Sequence, residues 1–318
     1  MSANGGTVGA GAFFRRYAIL IIFCALAVVI SLVTPKFLSA QNVMNILRQS
    51  SIIGLMAIGT TFVIIGGGFD ISVGSTLALT AAAVIGMQAH MPWPWAVLAA
   101  LAVGLLIGLV NGVLAAIVGI VPIIATLGTM TIVRGLTYIY TGGYPIVGES
   151  EPFREIGSGR AWIIPYPVIF LVVMVLFWQF VLSRTRTGRY VCSVGGNKEA
   201  TRLSGVPVDF YHILTFVIGG LTAAMAGVVY ASRLNSATPL AGNGYEMDAI
   251  ASTVIGGTSV SGGEGSIFGT LVGVLMLNIV SNMFNLWGVP VHVQHLVKGV
   301  IILLAVGIDS YGRKAERR

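Results

Sequence analysis

The chain has 318 residues, of which 56% are hydrophobic and only 9% charged, and its mean hydropathy is +0.91. Soluble domains carry about a quarter charged residues, so this composition excludes an ordinary water-facing globular protein and fits a bundle of helices whose solvent is lipid. The net charge of +7 does not signal nucleic acid, because the cations cluster in a few loops and make no basic patch on a soluble face.

Arg15 and Arg16 precede an apolar run over residues 17–33. They resemble the start of a signal peptide, and Ala25-Leu26-Ala27 matches a small-x-small cleavage site. The run continues past that site and more spans follow, so it reads as a retained first span. Further apolar segments cover 50–66, 73–90, 94–118, 121–141, 162–182, 211–231, 266–286 and 290–308. At about 20 residues per crossing these make nine spans. The 42 glycines suit close helix approach in lipid. Trp93, Trp95, Trp162 and Trp178 sit at span ends, as an interfacial belt would. Cys24 and Cys192 imply no disulfide framework.

Nine spans with the first starting inside would leave the tail cations Arg313, Lys314, Arg317 and Arg318 outside, against the positive-inside rule. The conflict disappears if 246–260, EMDAIASTVIGGTSV, also crosses. Ten spans then place Arg15, Arg16, the tail cations and Arg184, Arg186, Arg189, Lys198 and Arg202 inside. Lys36, Arg48, Arg154, Arg160 and Arg233 fall outside. The expectation is an all-α polytopic membrane protein: one transmembrane domain over 1–318, both termini cytoplasmic, a cytoplasmic loop at 183–210 and a cytoplasmic tail at 309–318.

Two glycine-rich turns, 66–75 and 256–266, each follow Ile-Gly-Gly and each hold one acid with several hydroxyls. They read either as a diverged internal repeat or as chance similarity in a glycine-rich chain. Neither contains a G-x-x-x-x-G-K-[ST] motif, so the chain is not expected to hydrolyse ATP or to carry a cofactor. Beside Gly66 and Ser72, Asp70 is expected to cap the helix starting near Ser72. Pairing with a base on another span, or facing water, are its alternatives.

Lys298 falls near the middle of the last span, where a charge costs about 2.5–3.5 kcal/mol and must face protein or water; a functional role and a structural ion pair both fit. Arg134 is expected to snorkel. Asn111, Asn278, Asn282 and Asn285 either line a path for a polyhydroxylated solute or bond across helices, the second being favoured for any one of them. His292 and His295, at i and i+3, lack the companions of a metal site. The segment 144–162, with Glu149, Glu151 and Glu155, reads as an external loop, either solvated or receiving a partner.

The stretch 183–208 is the one long hydrophilic passage between two apolar halves. Within it 197–204 reads as a short helix, with Asn197 as N-cap, Glu199 in the first turn, Arg202 in the last, then Gly205 and Pro207 as stops. Two turns of helix are marginal alone. The segment is either a docking helix presenting Ala200 and Leu203 or a plain basic loop.

GGGFDISVGS (66–75), IATLGTMTIVRGL (124–136), GRYVCSVGGNKEATRLSGV (188–206) and GYEMDAIASTVIGGTSVSGGEGSIFGT (244–270) closely resemble the permeases of bacterial ABC importers for ribose and related monosaccharides. The resemblance covers nearly the whole chain. It implies the ten-span fold of the cobalamin-importer permease class (type II ABC importers), in the bacterial inner membrane among lipid. It also implies a second copy of the permease, a periplasmic sugar-binding protein, and a cytoplasmic ATPase, often with two fused nucleotide-binding domains, that uses ATP and magnesium. By position 197–205 is then the coupling helix, with Asn197, Lys198, Glu199, Ala200, Arg202, Leu203 and Gly205 its residues. Gly66, Asp70, Ser72, Asn111, Asn278, Asn282 and Lys298 are the candidates for the translocation path. Phe69 stands where isoleucine is more usual. A stand-alone transporter or facilitator is the alternative; it requires ionisable groups deep in the spans, and only Lys298 qualifies.

Overall fold

The computed structural model describes residues 9–34 and 36–316, with side chains described over 20–34, 36–301, 303 and 307. Arg15, Arg16 and the four tail cations lie outside the described side chains, so the loop-charge argument is untouched by them. Helices follow the apolar runs: α1 (Gly9–Val33), α2 (Ala40–Ile65), α3 (Val73–Met87), α4 (Trp93–Ala116), α5 (Pro122–Thr141), α6 (Glu151–Ser158) and α7 (Tyr166–Arg184). The second half holds α8 (Arg186–Gly196), α9 (Lys198–Leu203), α10 (Val208–Leu234), α11 (Tyr245–Ile255), α12 (Ile267–Leu286) and α13 (Val291–Glu316).

Among the described residues six helices, α2, α4, α5, α7, α10 and α12, are long and apolar enough to cross a membrane. With them the chain is a multi-pass membrane protein. At 1.5 Å per residue α3 spans about 22 Å and α11 about 16 Å, against a hydrocarbon thickness of about 30 Å. The stretch 246–260 is therefore not one continuous span. It is α11 followed by a turn, broken where Gly256 caps the helix and Gly257 takes φ +87°.

α2 is buried from Ser50 to Gly66, as expected of a helix that is apolar all round and has no lipid face. It packs against α10, α12, α11 and α7. α10 in turn lies against α4, α2 and α3. The outer helices keep apolar residues exposed, such as Leu98, Leu106, Ile132, Val173 and Phe180, the pattern of a surface facing lipid.

Small residues let α4 and α10 touch at backbone distance. A Cβ on Gly104 would strike Ala224 and the Gly220 carbonyl, one on Gly108 the Phe216 carbonyl, and one on Gly112 would come within 2.8 Å of Ile213 Cα. Spaced every four residues, these glycines form the close-packing stripe that lipid-embedded helices use in place of a hydrophobic drive.

The loop between α5 and α7 is built, and is more than a solvated connection. β1 (Ile146–Val147) pairs antiparallel with β4 (Ser236–Ala237), and β2 (Arg160–Ala161) with β3 (Ile164–Pro165). α6 buries Phe153 and Gly157 against α10. Gly157 N donates to Ser232 Oγ at 2.7 Å, and Ser232 Oγ donates to the Phe153 carbonyl.

Two sequence expectations change. Trp178 is buried, edge-on to Phe62 at 5.3 Å between ring centroids, so it belongs to the α2–α7 contact and not to an interfacial belt. Arg134 does not snorkel: its Nη1 donates to the Pro239 and Ala241 carbonyls at 2.6 and 2.8 Å, neutralising loop carbonyls that lack sheet partners.

Replacing Gly108 by valine tests the α4–α10 seam. Overpacking of this kind costs about 1–3 kcal/mol or more, so Gly108→Val lowers the melting temperature and the monodisperse yield in detergent. Gly128→Val, where nothing lies within 4 Å of the new carbon, leaves both near the parent.

Candidate functional site

The hydrophilic stretch folds as two helices at right of α7 in sequence, not as a loop with one helix. α7 ends at Thr185, whose extended backbone turns the chain and whose hydroxyl accepts from Gly188 N at 3.3 Å to start α8. Asn197 then ends α8 and caps α9, its Oδ1 accepting from Ala200 N at 2.9 Å. Gly205 leaves the helix at φ +80°, the left-handed conformation that glycine adopts without steric cost.

The faces of α9 divide cleanly. Thr201 is buried, and its hydroxyl donates to the Ser193 and Asn197 carbonyls at 2.9 and 2.7 Å. Arg202 pairs with Asp209 at 3.1 Å on the surface. Lys198, Glu199, Ala200 and Arg202 are exposed, and Leu203 is 83% exposed. Burial raises the pKa of the Cys192 thiol on α8, with Glu264 adding to the effect, a shift that disfavours the thiolate.

The second group lies at the 66–72 turn. Asp70 is 1% exposed. Its carboxylate accepts from Ser72 N at 2.8 Å, Ser72 Oγ at 2.6 Å and Asn111 Nδ2 at 3.4 Å. Asn111 Nδ2 also donates to Ser72 Oγ at 2.8 Å. The acid thus holds Ser72, the residue before α3, and ties α4 to it; the expected cap is not made, since no side-chain oxygen caps the first turn of α3, and the acid faces protein instead of water. Gly66 joins through His212, whose Nδ1 lies 3.1 Å from the Gly66 carbonyl. A carbonyl only accepts, so the ring carries its proton there. Thr126 of α5 completes the group, its hydroxyl accepting from Ile71 N and donating to the Phe69 carbonyl. Sequence reasoning missed Thr126 and His212; each is a lone polar residue near the end of an apolar run, and that was the available signal.

Asp70, Ser72 and Asn111 are thus brought together, Gly66 sits at the start of the same turn and bonds His212 instead, and Asn278, Asn282 and Lys298 stand apart from them. Asn278 Nδ2 donates to Val274 of its own helix at 2.9 Å. Asn282 and Asn42 exchange two amide hydrogen bonds at 2.8 and 2.9 Å, joining α12 to α2. Lys298 Nζ binds Asp248 Oδ2 at 2.9 Å, an ion pair between α13 and α11. Among the described residues no cluster of three metal-ligating side chains occurs, and His292 and His295 are both exposed.

Both glycine-rich turns leave their helices in the same way. Gly66, Gly67 and Gly68 donate to Phe62, Ile64 and Val63; Gly256, Gly257 and Thr258 donate to Ser252, Val254 and Thr253. These are two Schellman endings with the same bonding pattern. The turns meet where Gly263 N donates to the Ile65 carbonyl at 2.8 Å. The ends of α2 and α11 therefore share one level, beside α8.

The family model described as the branched-chain amino acid transport system / permease component matches residues 42–306. The chain belongs to this family. Within the family it is 44% identical over 298 residues to the ribose import permease protein RbsC of Escherichia coli K12, covering 92% of each chain. It is 36% identical over 300 residues to the D-allose transport system permease protein AlsC of that strain, covering 93% of this chain and 92% of the other. Against the L-arabinose transport system permease protein AraH the identity is 37% over 311 residues, 96% and 94% of the two chains. No solved structure matches the chain.

The Lys298–Asp248 pair gives a direct test. Removing one partner of a buried pair costs about 3–5 kcal/mol, whereas removing both charges is often near neutral. Lys298→Met alone should be strongly destabilised in detergent unfolding, and Lys298→Met with Asp248→Asn should recover most of the loss.

Proposed function

We propose that this chain is the transmembrane subunit of an ATP-driven importer for a monosaccharide, a ribose-like pentose, a hexose or a related polyol, in a bacterial inner membrane. The observation that carries this reading is the match to permeases named for ribose, D-allose and L-arabinose over more than nine-tenths of both chains.

The proposed architecture has ten membrane segments: the six long helices with α1, α3, α11 and α13, in the manner of the cobalamin-importer permeases. α2 and α11 end together beside α8, which supports the same direction of crossing for both and hence the parity that puts both termini in the cytoplasm. We assign α9 as the coupling helix. Asn197 and Gly205 fix its ends, Lys198, Glu199 and Arg202 give it a charged rim, and Ala200 and Leu203 offer the apolar contact to a separate ATPase. That partner, with two nucleotide-binding domains, uses ATP and magnesium; the permease itself needs no cofactor. A second copy of the permease completes the channel and a periplasmic sugar-binding protein delivers the solute.

The inner end of the path is assigned to Gly66, Asp70, Ser72 and Asn111. Asn278, Asn282 and Lys298 receive a packing role, because they stand apart from the 66–72 turn and bond within or between helices elsewhere. The Lys298–Asp248 ion pair accounts for the charge in the last span without an ion relay of the kind a stand-alone secondary transporter needs. Alternation between outward- and inward-facing states then follows from ATP-driven displacement of α9 in each copy.

The test is uptake of ribose into proteoliposomes holding the permease, its ATPase and the binding protein. ATP-dependent accumulation is expected, and accumulation without the ATPase would overturn the assignment. Leu203→Asp with Glu199→Lys should lower uptake by about tenfold or more, since a central apolar anchor contributes about 2 kcal/mol or more to docking. Membrane insertion should be unchanged.

A further inference from the structure

The proposed function leaves open how a displacement of α9 on the surface reaches the membrane interior. Two contacts made by α7 and α8 bear on this, and neither is explained by burial of apolar area. The first is Gln179, on the inner half of α7. Its side-chain oxygen accepts from Ile267 N at 2.9 Å, with Phe268 N at 3.4 Å and Ser266 Oγ at 3.5 Å. The first N–H groups of a helix have no partner within it and are usually capped by the residue just before. Ser266 does accept from Gly269 N, but the two foremost donors of α12 are taken by a side chain from another helix, 88 residues earlier.

The second contact is Gly195, one residue before the end of α8. A Cβ there would overlap the Ile65 carbonyl and lie 2.7 Å from Gly263 N. A Cβ on Gly262 would lie 2.8 Å from the Gly195 carbonyl, and one on Gly263 2.9 Å from Gly196 Cα. Three backbones distant in sequence, at 65, 195 and 263, meet here with no side chain between them. α8 and α9 are themselves joined by Thr201 Oγ1 to the Ser193 carbonyl and by Asn197 N to the same oxygen. α9 is thereby hydrogen-bonded to the last turn of α8, next to Gly195.

We propose that Gln179 and Gly195 form a clasp through which displacement of α9 is passed to the 256–266 turn and to the start of α12. Gln179 is a positioning residue: it touches neither solute nor nucleotide, and holds α12 to the helix that leads into the coupling segment. Gly195 is the point of backbone contact, and it acts at once on the ends of α2 and on the 256–266 turn because Gly263 and Ile65 are hydrogen-bonded to each other. The inference rests on the importer reading above and adds to it the residues that transmit the stroke.

The experiment reads sugar transported per ATP hydrolysed, in proteoliposomes with the ATPase and the binding protein, using ribose as the probe. Coupling between sites typically changes an equilibrium about 5- to 150-fold. Gln179→Leu should therefore lower the sugar-to-ATP ratio by about fivefold or more while the hydrolysis rate stays near the parent value. Gln179→Glu keeps an oxygen for the same two N–H groups and should restore the ratio. Gly195→Ala should behave as Gln179→Leu does where it assembles with the ATPase. If it does not assemble, the two Gln179 variants still decide the matter. A parental ratio in Gln179→Leu would overturn the clasp, as would uptake and hydrolysis falling in proportion, which marks a purely structural role. Failure of the unsubstituted complex to accumulate ribose, D-allose or L-arabinose with ATP would overturn the importer reading itself, and the clasp with it.

Discussion

The contact between α4 and α10 sets the terms for the rest of the molecule. In lipid there is no gain from hiding one apolar face against another, so two helices adhere only as far as their surfaces interlock. Gly104, Gly108 and Gly112 give α10 a groove with backbone on its floor, and α10 fills it along much of its length. Once α10 is held there, its remaining faces receive α2 and α3, and α2 becomes a helix with protein on every side. The turn that follows α2 is then enclosed as well, which is why Asp70 is buried.

Enclosure makes that turn a demanding place for an acid. The carboxylate of Asp70 is answered by neutral donors: a backbone N–H, a hydroxyl and an amide. Hydrogen bonds to a charged group contribute about 1.5–3 kcal/mol, and leaving the acceptors unmatched costs a comparable amount. The network is therefore a directional lock between the start of α3, α4 and the end of α2. A salt bridge would tolerate sliding along its long side chains; this set of short ones does not.

The amount that could be read from the sequence followed from how local each signal was. Spans and the short helix at 198–203 depend on neighbours within a turn or two, and the cues at Asn197 and Gly205 translate directly into bonds that the structure contains. The parity argument drew on charge over the entire chain and required a further crossing near 246–260. What it could not supply was the form of that segment, because α11 is 11 residues long and is followed by a turn packed on other backbones. The surroundings of Trp178, Arg134 and Gln179 escape a local reading for one reason. Each is defined by a partner 50 or more residues away: Phe62, the carbonyls of Pro239 and Ala241, and the start of α12. Composition gives an aromatic or a cation a preferred depth in the bilayer, but only the packed chain says whether a ring or a carbonyl is already waiting there.

The short helices change where backbone polarity has to be settled. Among the described residues six helices are long and apolar enough to cross, which matches a hydrocarbon layer about 30 Å thick. α3 and α11 span only about 22 and 16 Å, and each adjoins a glycine turn that has no helical ladder of its own. Lipid offers such backbone no partners, and the protein supplies them: Asp70 accepts from Ser72 N, Thr126 from Ile71 N and the Ile65 carbonyl from Gly263 N. The hydroxyls and the acid of these turns thus stand in for the solvent that a surface loop would use.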